Sequence, residues 1–511
     1  MSETELKFLI AEPDLPKLGK LAALREGMKD ARAQQSRTTY FDTDRRDLWK
    51  RGFVLRIRSV GGRLIQTIKQ EQPSLVERGE WEREIKPPSA GAPLRPDLAM
   101  IEETPLAEAI DKSIRDSLRP AFEIDVERTA FLWRDGKTLI EIVIDRGAIH
   151  EVAARGQTLR ISELELELKQ GDVEAAFALA RTLAAQAPLR LSLISKAERG
   201  QRLTARSIAS PAKASAPRLS GDMTITAAFM TIAHACLHDF MLNADALEGA
   251  DPIEAVHQGR VALRRLRAAL ALFRPVRREG HAGMSAALKW RADIFGAARD
   301  RDILSAGAVE PTLGSVDATA FAQWREARRL GAHKAVRAAV RSKRWRVFLV
   351  NFCEWLEDAA RAPPPPDGRE DALIRFARKR LKRRLKALVA APQDLASLDM
   401  DALHKLRISA KKLRYMAQFF ADVPGVANSS RLERLLDRLD ALQSNLGDMR
   451  DKAARVGGVQ AELHLWRSES GRVDAAPPAA PAPIVAPIEV DGKNLGRAMK
   501  AFAELVRIDP F

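Results

Sequence analysis

The sequence predicts an α+β protein: a largely antiparallel sheet with flanking helices, followed by an all-α domain built from a duplicated helical bundle. Three observations lead there. Short alternating segments dominate from Leu6 to about Ser195, residues 222–470 carry almost continuous 3.6-residue periodicity, and one ordered set of polar positions occurs twice in the helical part. At 511 residues the chain exceeds what one hydrophobic core organises, and with 46% apolar and 30% charged residues it is globular in composition, not disordered.

Taken in order, the strand-like segments include Val54–Arg58, Leu64–Lys69, Glu80–Lys86, Leu139–Ile144 and Ile161–Lys169. Helical pattern interrupts them at roughly Leu15–Arg32, Pro105–Leu118 and Val173–Gln186. The expected organisation is a first domain over 1–202, a linker over 203–221 and a helical domain over 222–511. Residues 204–220 read TARSIASPAKASAPRLS, small and without period, which is linker text. Within the helical domain the run Pro363–Pro366 separates repeats of about 222–362 and 367–470. An Ala/Pro-rich stretch, 475–488, precedes a last short helix near Leu495–Val506.

Charge is distributed unevenly. Residues 1–200 hold 33 cations and 33 anions, so the whole formal excess of +16 lies beyond them. A field of that sign attracts polyanions. Cys236 and Cys353 have no CxxC spacing, so neither a disulfide framework nor a thiolate metal site is supported. The start, Glu3-Thr4-Glu5, is no signal peptide, and no uninterrupted apolar stretch reaches spanning length, so a cytoplasmic protein without membrane insertion is expected.

Side chains alternate across a strand, so Glu3, Glu5 and Lys7 share one face. Glu163, Glu165, Glu167 and Lys169 share another, opposite Leu164, Leu166 and Leu168. Adjacent carboxylates repel unless something cationic offsets them. The same region supplies Arg56 with Arg58, Lys69, Arg128 and Lys196. Taken singly, an alternating Glu/Lys strand is a solvated outer face. Jointly, strands closed into a barrel would enclose carboxylates and cations together, as a metal–triphosphate complex requires.

Glu3-Thr-Glu5-Leu-Lys7, Tyr40-Phe41-Asp42-Thr43, Leu55-Arg56-Ile57-Arg58, Thr67-Ile68-Lys69, the Glu163-to-Glu167 strand and Ser195-Lys196, in that order, resemble the CYTH domain of triphosphate tunnel metalloenzymes. The resemblance implies an eight-stranded tunnel for a linear triphosphate, with Mg²⁺ or Mn²⁺ held by acidic residues. It implies Glu3, Glu5, Glu163, Glu165 and Glu167 as metal ligands and Lys7, Arg56, Arg58, Lys69, Arg128 and Lys196 as phosphate-binding groups. Glu3, Glu5 and Lys7 would form its catalytic set. Tyr40 and Asp42 are expected to be structural, and His150 to be surface or packing.

In the helical part, His257, Arg260, Arg264 and Arg267 fall on one helical stripe; His404, Arg407, Lys411 and Arg414 fall on another. Each block is followed by GxxRD, at Gly296–Asp300 and Gly447–Asp451. A charge run is commonly a solvated face, and Arg378–Lys386 is balanced between that reading and a functional one. The duplicated stripes are not, because the same order recurs. These motifs resemble the CHAD domain, a duplicated helical bundle associated with inorganic polyphosphate. Asp300, Asp302 and Asp451 are expected to hold the arginines by ion pairing. With two tyrosines in the chain, base-stacking platforms are scarce and a nucleic-acid partner is disfavoured.

The expected function is metal-dependent hydrolysis of inorganic triphosphate in the tunnel, with polyphosphate binding by the helical domain. Two alternatives remain: another triphosphate substrate, as in class IV adenylyl cyclases or thiamine triphosphatases, and a non-catalytic polyphosphate-binding or targeting protein. Oligomeric state is undetermined by sequence.

Overall fold

In the computed structural model the described residues are 4–70, 79–89, 92–152, 156–276, 279–305, 318–361, 372–390, 394–426, 429–469 and 492–508. Glu3, the Pro363–Pro366 run and residues 475–488 lie outside them.

Alternation builds the N-terminal sheet. Its strands are β1 Glu5–Leu9, β2 Arg32–Asp42, β3 Phe53–Val60, β4 Arg63–Gln70, β5 Glu80–Ile85, β6 Arg119–Asp135, β7 Thr138–Glu151, β8 Thr158–Gln170 and β9 Arg190–Leu191. All pairings are antiparallel, in the order β5-β4-β3-β2-β6-β7-β8-β1-β9. The expected count of eight is exceeded by the two-residue β9, which pairs with Phe8 and Leu9 of β1.

The helices of this part are short apart from two. α1 Ala22–Arg25, α2 Asp47–Lys50, α3 Leu98–Glu102, α4 Leu106–Ala109 and α5 Lys112–Asp116 are single turns; α6 Val173–Gln186 and α7 Lys196–Thr204 are longer. The expected helix over Leu15–Arg32 is instead two 3₁₀ segments flanking α1, with Arg32 already in β2. Pro13 and Pro16 remove backbone donors there, which favours the 3₁₀ path. The pattern over Pro105–Leu118 likewise resolves into α4 and α5, each ending within a turn.

α6 covers one face of β8, burying Phe177, Ala180 and Leu183 while Leu164 and Leu166 are buried on the strand. Tyr40, Val54, Phe122, Ile124, Val126, Ile149 and Ile161 form a second apolar layer with Ala197 and Leu203 of α7. α7 approaches closely because Gly200 has no side chain: a Cβ there would lie 2.0 Å from the Phe122 ring. Asp42, buried, accepts from the backbone N–H groups of Thr43 (2.8 Å), Leu48 (3.0 Å) and Trp49 (3.2 Å), which makes it the structural cap of α2.

The rest is helical: α8 Ile225–Asp245, α9 Pro252–Phe273, α10 His281–Ser305, α11 Ala318–Arg341, α12 Lys343–Arg361, α13 Ala372–Val389, α14 Met400–Gln418, α15 Ser429–Glu469 and α16 Gly492–Arg507. The chain forms two compact units, one of residues 1–212 with 241–251 and 339–357, the other of 213–240, 252–338 and 358–511. The segment expected as a linker is pinned by hydrogen bonds: the Asn243 amide exchanges two with the Ala212 backbone (2.9 and 3.0 Å), and Asp239 accepts two from Ser215 (2.8 and 3.0 Å). Ile225–Glu248 is long and apolar enough to cross a membrane, which the sequence reading passed over; 72% of its apolar window is buried inside the protein, as in a core helix. Both cysteines are free and buried.

Gly200→Ala is expected to destabilise the protein by about 2 kcal/mol by forcing α7 away from Phe122. Thermal or denaturant unfolding of this variant measures it; an unchanged midpoint would refute the packing account.

Candidate functional site

The polar faces of the eight long strands converge on one cavity of about 430 Å³. Glu5 and Lys7 enter from β1, Tyr40 from β2, Arg56 and Arg58 from β3, Lys69 from β4, and Glu80 and Glu82 from β5. Arg128 comes from β6, Glu141 and Asp145 from β7, Glu165, Glu167 and Lys169 from β8, and Lys196 from the first turn of α7. Parity explains the arrangement: residues two apart on a strand share a face, and the intervening Leu6, Leu55, Ile57, Ile68, Leu164 and Leu166 pack into apolar layers.

The most buried part is acidic. Asp145, Glu163 and Glu165 place carboxylate oxygens within 4.8 Å of one another, with Asp145 and Glu163 fully buried and directly paired in the β7–β8 ladder. Cations answer them. The Lys196 ammonium lies 2.6 Å from Asp145 and 2.9 Å from Glu165, and also pairs with Glu163. Arg128 grips Asp145 with two nitrogens, at 2.8 and 2.6 Å, and reaches Glu165 at 3.3 Å. Arg199, one turn after Lys196, pairs with Glu163. Lys7 stands 3.8 Å from both Glu5 and Glu165.

These contacts set the protonation states. Burial acts to lower the pKa values of Lys7 and Lys196, but the surrounding carboxylates outweigh it and hold both above the ordinary lysine range. For Glu165 burial acts upward, and Lys196, Lys7 and Arg128 together pull the carboxyl well below the usual range. At neutral pH Lys7 and Lys196 are therefore protonated and Glu165 is ionised.

A second group lies on β3, β4 and β5. Lys69 pairs with Glu80 at 2.8 Å, Arg56 stands 3.6 Å from Glu80 and 3.8 Å from Glu82, and Arg58 stands 3.7 Å from Glu82. Thr67 donates to Glu82 at 2.9 Å. Burial, then Arg56, lowers the pKa of Arg58, so these guanidiniums sit close enough to repel.

Of the residues expected from sequence, Glu5, Lys7, Arg56, Arg58, Lys69, Arg128, Glu165, Glu167 and Lys196 line this one cavity. Glu163 is set back from the wall, engaged by Lys196 and Arg199. Glu167 is the more exposed, beside Lys169, which also reaches Glu141 at 3.3 Å. Tyr40, expected as purely structural, stacks on Phe122 with centroids 4.5 Å apart yet also faces the cavity. His150 makes a hydrogen-bond contact with Thr158 at 3.1 Å and is not part of the wall. Sequence reading missed Asp145 because the assigned strand stopped at Ile144; its parity with Glu141, four residues earlier, was the available signal. Glu80 and Glu82 were visible as an alternating pair, but their facing was not.

The second unit gathers the helical stripes. α9 packs on α10 and α14, and α14 on α15. Burial lowers the Lys411 pKa to about 7, with further lowering from Arg264, Arg407, Arg414 and Arg260. Burial and Arg260 likewise bring Arg264 down to about 10. His257 is lowered by burial and then by Arg299, with Lys411 and Arg264 contributing. The two stripes therefore face one another, and cations from both repeats crowd together. Arg267 belongs to a neighbouring group: it and Arg384 are the charges that, after burial, lower the Lys412 pKa. His404 is partly buried on α14.

The GxxRD motifs explain themselves in this setting. A Cβ at Gly296 would stand 3.5 Å from the Arg260 guanidinium, and one at Gly447 would stand 2.9 Å from that of Arg407. At Gly296 that is ordinary van der Waals contact, whereas at Gly447 the arginine would have to shift to admit a Cβ. Asp300 accepts from Arg260 at 3.0 Å, as expected. Asp302 does not hold a stripe arginine: it is buried against His333 at 2.7 Å and Arg329 at 3.5 Å. The Asp451 side chain lies outside what the structure describes.

Residues 1–201 match the family model of the CYTH domain, and residues 231–456 match that of the CHAD domain. The chain is a CYTH domain followed by a CHAD domain. A curated relative, an inorganic triphosphatase of Haemophilus influenzae, is 31% identical over 167 residues, 32% of this chain and 44% of the relative, so the match spans less than half of that protein's length. The crystal structure of a CHAD domain from Ricinus communis is 24% identical, covers 57% of this chain and 96% of its own, and superposes with a TM-score of 0.43. A Hippeastrum protein described as having a dominant triphosphatase activity is 18% identical, covers 39% of this chain and 95% of its own, with a TM-score of 0.27.

Glu163→Gln in the CYTH domain is expected to cost about 3 kcal/mol of stability, because it unbalances a fully buried ion-pair cluster. Glu167→Gln, in a more exposed pair, is expected to change stability by less than about 1 kcal/mol. Denaturant unfolding of both variants decides; equal effects would contradict the assigned difference in burial.

Proposed function

We propose that the CYTH domain hydrolyses inorganic triphosphate to pyrophosphate and phosphate with Mg²⁺ or Mn²⁺, and that the CHAD domain binds inorganic polyphosphate. One observation carries the catalytic reading: carboxylates of Glu5, Asp145 and Glu165 meet seven cations inside a single cavity. The likeness to a protein named as an inorganic triphosphatase supports it.

The acidic cluster fits a hard divalent cation. Three buried carboxylates within 4.8 Å offer only oxygen donors, the ligands Mg²⁺ and Mn²⁺ prefer. Asp145, Glu163 and Glu165 would hold the ion, with Glu5 and Glu167 on the same wall. When bound, it supplies Lewis-acid neutralisation of phosphate oxygens and an acidified water.

The protein's own cations do the rest. Lys7, Arg56, Arg58, Lys69, Arg128 and Lys196 bind phosphate oxygens and stabilise the charge spread over them as the P–O anhydride bond breaks and the bond to water oxygen forms. The positive charges of Lys7 and Lys196 are held by the neighbouring carboxylates against the opposing effect of burial. Among the described residues no Cys or His enters the cavity wall, and none is needed when water is the nucleophile. A cytoplasmic setting accords with two free thiols and no thiolate chemistry.

In the CHAD domain, burial and then the neighbouring cations lower the pKa values of Lys411 and Arg264 between α9 and α14, and a bound polyanion offsets the repulsion.

Two experiments test this reading. Phosphate release from triphosphate, ATP and long-chain polyphosphate is measured with Mg²⁺, Mn²⁺ and chelator. Metal-dependent release from triphosphate is expected, abolished in Glu5→Gln and reduced roughly 100-fold in Arg58→Gln; no release from any substrate would leave a binding protein. For the helical domain, Lys411 titrates near 7 when free, and a polyanion raises that value, so binding takes up a proton above pH 7. Polyphosphate affinity is expected to fall as pH rises from 7 toward 10, by at most about tenfold per unit, and Lys411→Arg is expected to flatten the profile. A wild-type affinity independent of pH would contradict this.

A further inference from the structure

The basic run Arg378–Lys386, left undecided by sequence, lies on α13 with its apolar side buried through Ala377, Leu381 and Leu385. That helix carries eight Lys or Arg and no Asp or Glu between Ala372 and Val389. Arg378, Lys379, Arg383, Arg384 and Lys386 are exposed. From Arg375 to Lys386 the cations extend over roughly 16 Å of helix.

This ridge is continuous with the cleft. Lys411 and Lys412 are neighbours on α14, which packs on α13. Lys411 feels Arg264, Arg407 and Arg414 in the cleft, whereas Lys412 feels Arg267 of α9 and Arg384 of α13. Arg380 is in turn lowered by burial and by Arg383 and Arg384. α9, α14 and α13, packed in series, thus each contribute cations that act on Lys411 or Lys412. We infer that the cleft and the α13 ridge form one track, on which a long polyphosphate chain is held at both ends while a short chain occupies the cleft alone.

The inference rests on the proposed polyphosphate binding and adds selection by chain length. An extended, flexible polyanion follows such a track at every unit, and the contacts needed are charges without base-stacking surfaces. Phe376, the aromatic residue on α13, is already covered by the Arg380 guanidinium at 5.5 Å.

The test compares the full-length wild type with R380Q/R383Q/R384Q for binding of short-chain and long-chain polyphosphate and of single-stranded DNA across a salt series. K411Q/R264Q serves as the cleft control, and circular dichroism checks folding of each variant. The ridge variant is expected to bind long chains at least tenfold more weakly, with the magnitude of its log-affinity against log-salt slope reduced by about 2, and to bind short chains unchanged. The cleft variant should weaken both lengths. Wild-type behaviour of the ridge variant toward long chains would overturn the track while leaving cleft binding intact. Loss of DNA binding without loss of long-chain binding would overturn it in favour of nucleic acid. No binding of either polyphosphate by the wild type would remove both the inference and the reading beneath it.

Discussion

The N-terminal architecture depends on the neutralisation of buried carboxylates by Lys196. Asp145 and Glu163 are fully buried, and Glu165 nearly so; three adjacent buried carboxylates are costly to desolvate and repel one another unless cations answer them. Lys196 touches all three, Arg128 holds Asp145 in a fork, and Arg199 engages Glu163. The position of α7 therefore matters as much as that of the strands, and the close packing of Gly200 on Phe122 is what brings it in. A buried ion network is poor evidence for stability, since apolar replacements are often as stable. Its retention here accords with a cavity that must keep both signs of charge.

The CHAD domain is organised by the opposite condition. Its stripes concentrate like charge with few carboxylates among them, and the lowered values of Lys411 and Arg264 record the electrostatic cost. Gly447 of the second GxxRD motif bears part of this arrangement by letting Arg407 lie against the neighbouring helix. In both repeats the stripe arginine lies beside the motif's glycine, and at Gly447 the approach is close enough that a Cβ would displace it.

Much of this was legible in the sequence. Period-two alternation placed Glu5, Lys7, Arg56, Arg58, Glu165 and Glu167 on inward faces because one residue of slip would exchange core and cavity for a whole strand. The α6 boundaries, Val173–Gln186, followed from its apolar spacing. Other features depended on information outside any local window. Asp145 joins Glu163 only through the β7–β8 register, and Glu80 and Glu82 face Lys69 and Arg56 only through β4–β5 and β3–β4 pairing. The helix expected over Leu15–Arg32 failed for a local reason, since Pro13 and Pro16 outweighed the apolar period. The division of the first basic stripe, with Arg267 acting on Lys412 together with Arg384, reflects how α14 packs on both α9 and α13.

The central claim is that one cavity holds metal and triphosphate together, each completing the other's charge. Equilibrium binding of Mn²⁺ to the full chain, with and without a non-hydrolysable triphosphate analogue, tests it most directly, with Asp145→Asn as the comparison. The account predicts that the analogue tightens Mn²⁺ binding in the wild type and that Asp145→Asn loses this coupling. Equal Mn²⁺ affinity with and without the analogue, or coupling that persists in Asp145→Asn, would contradict it.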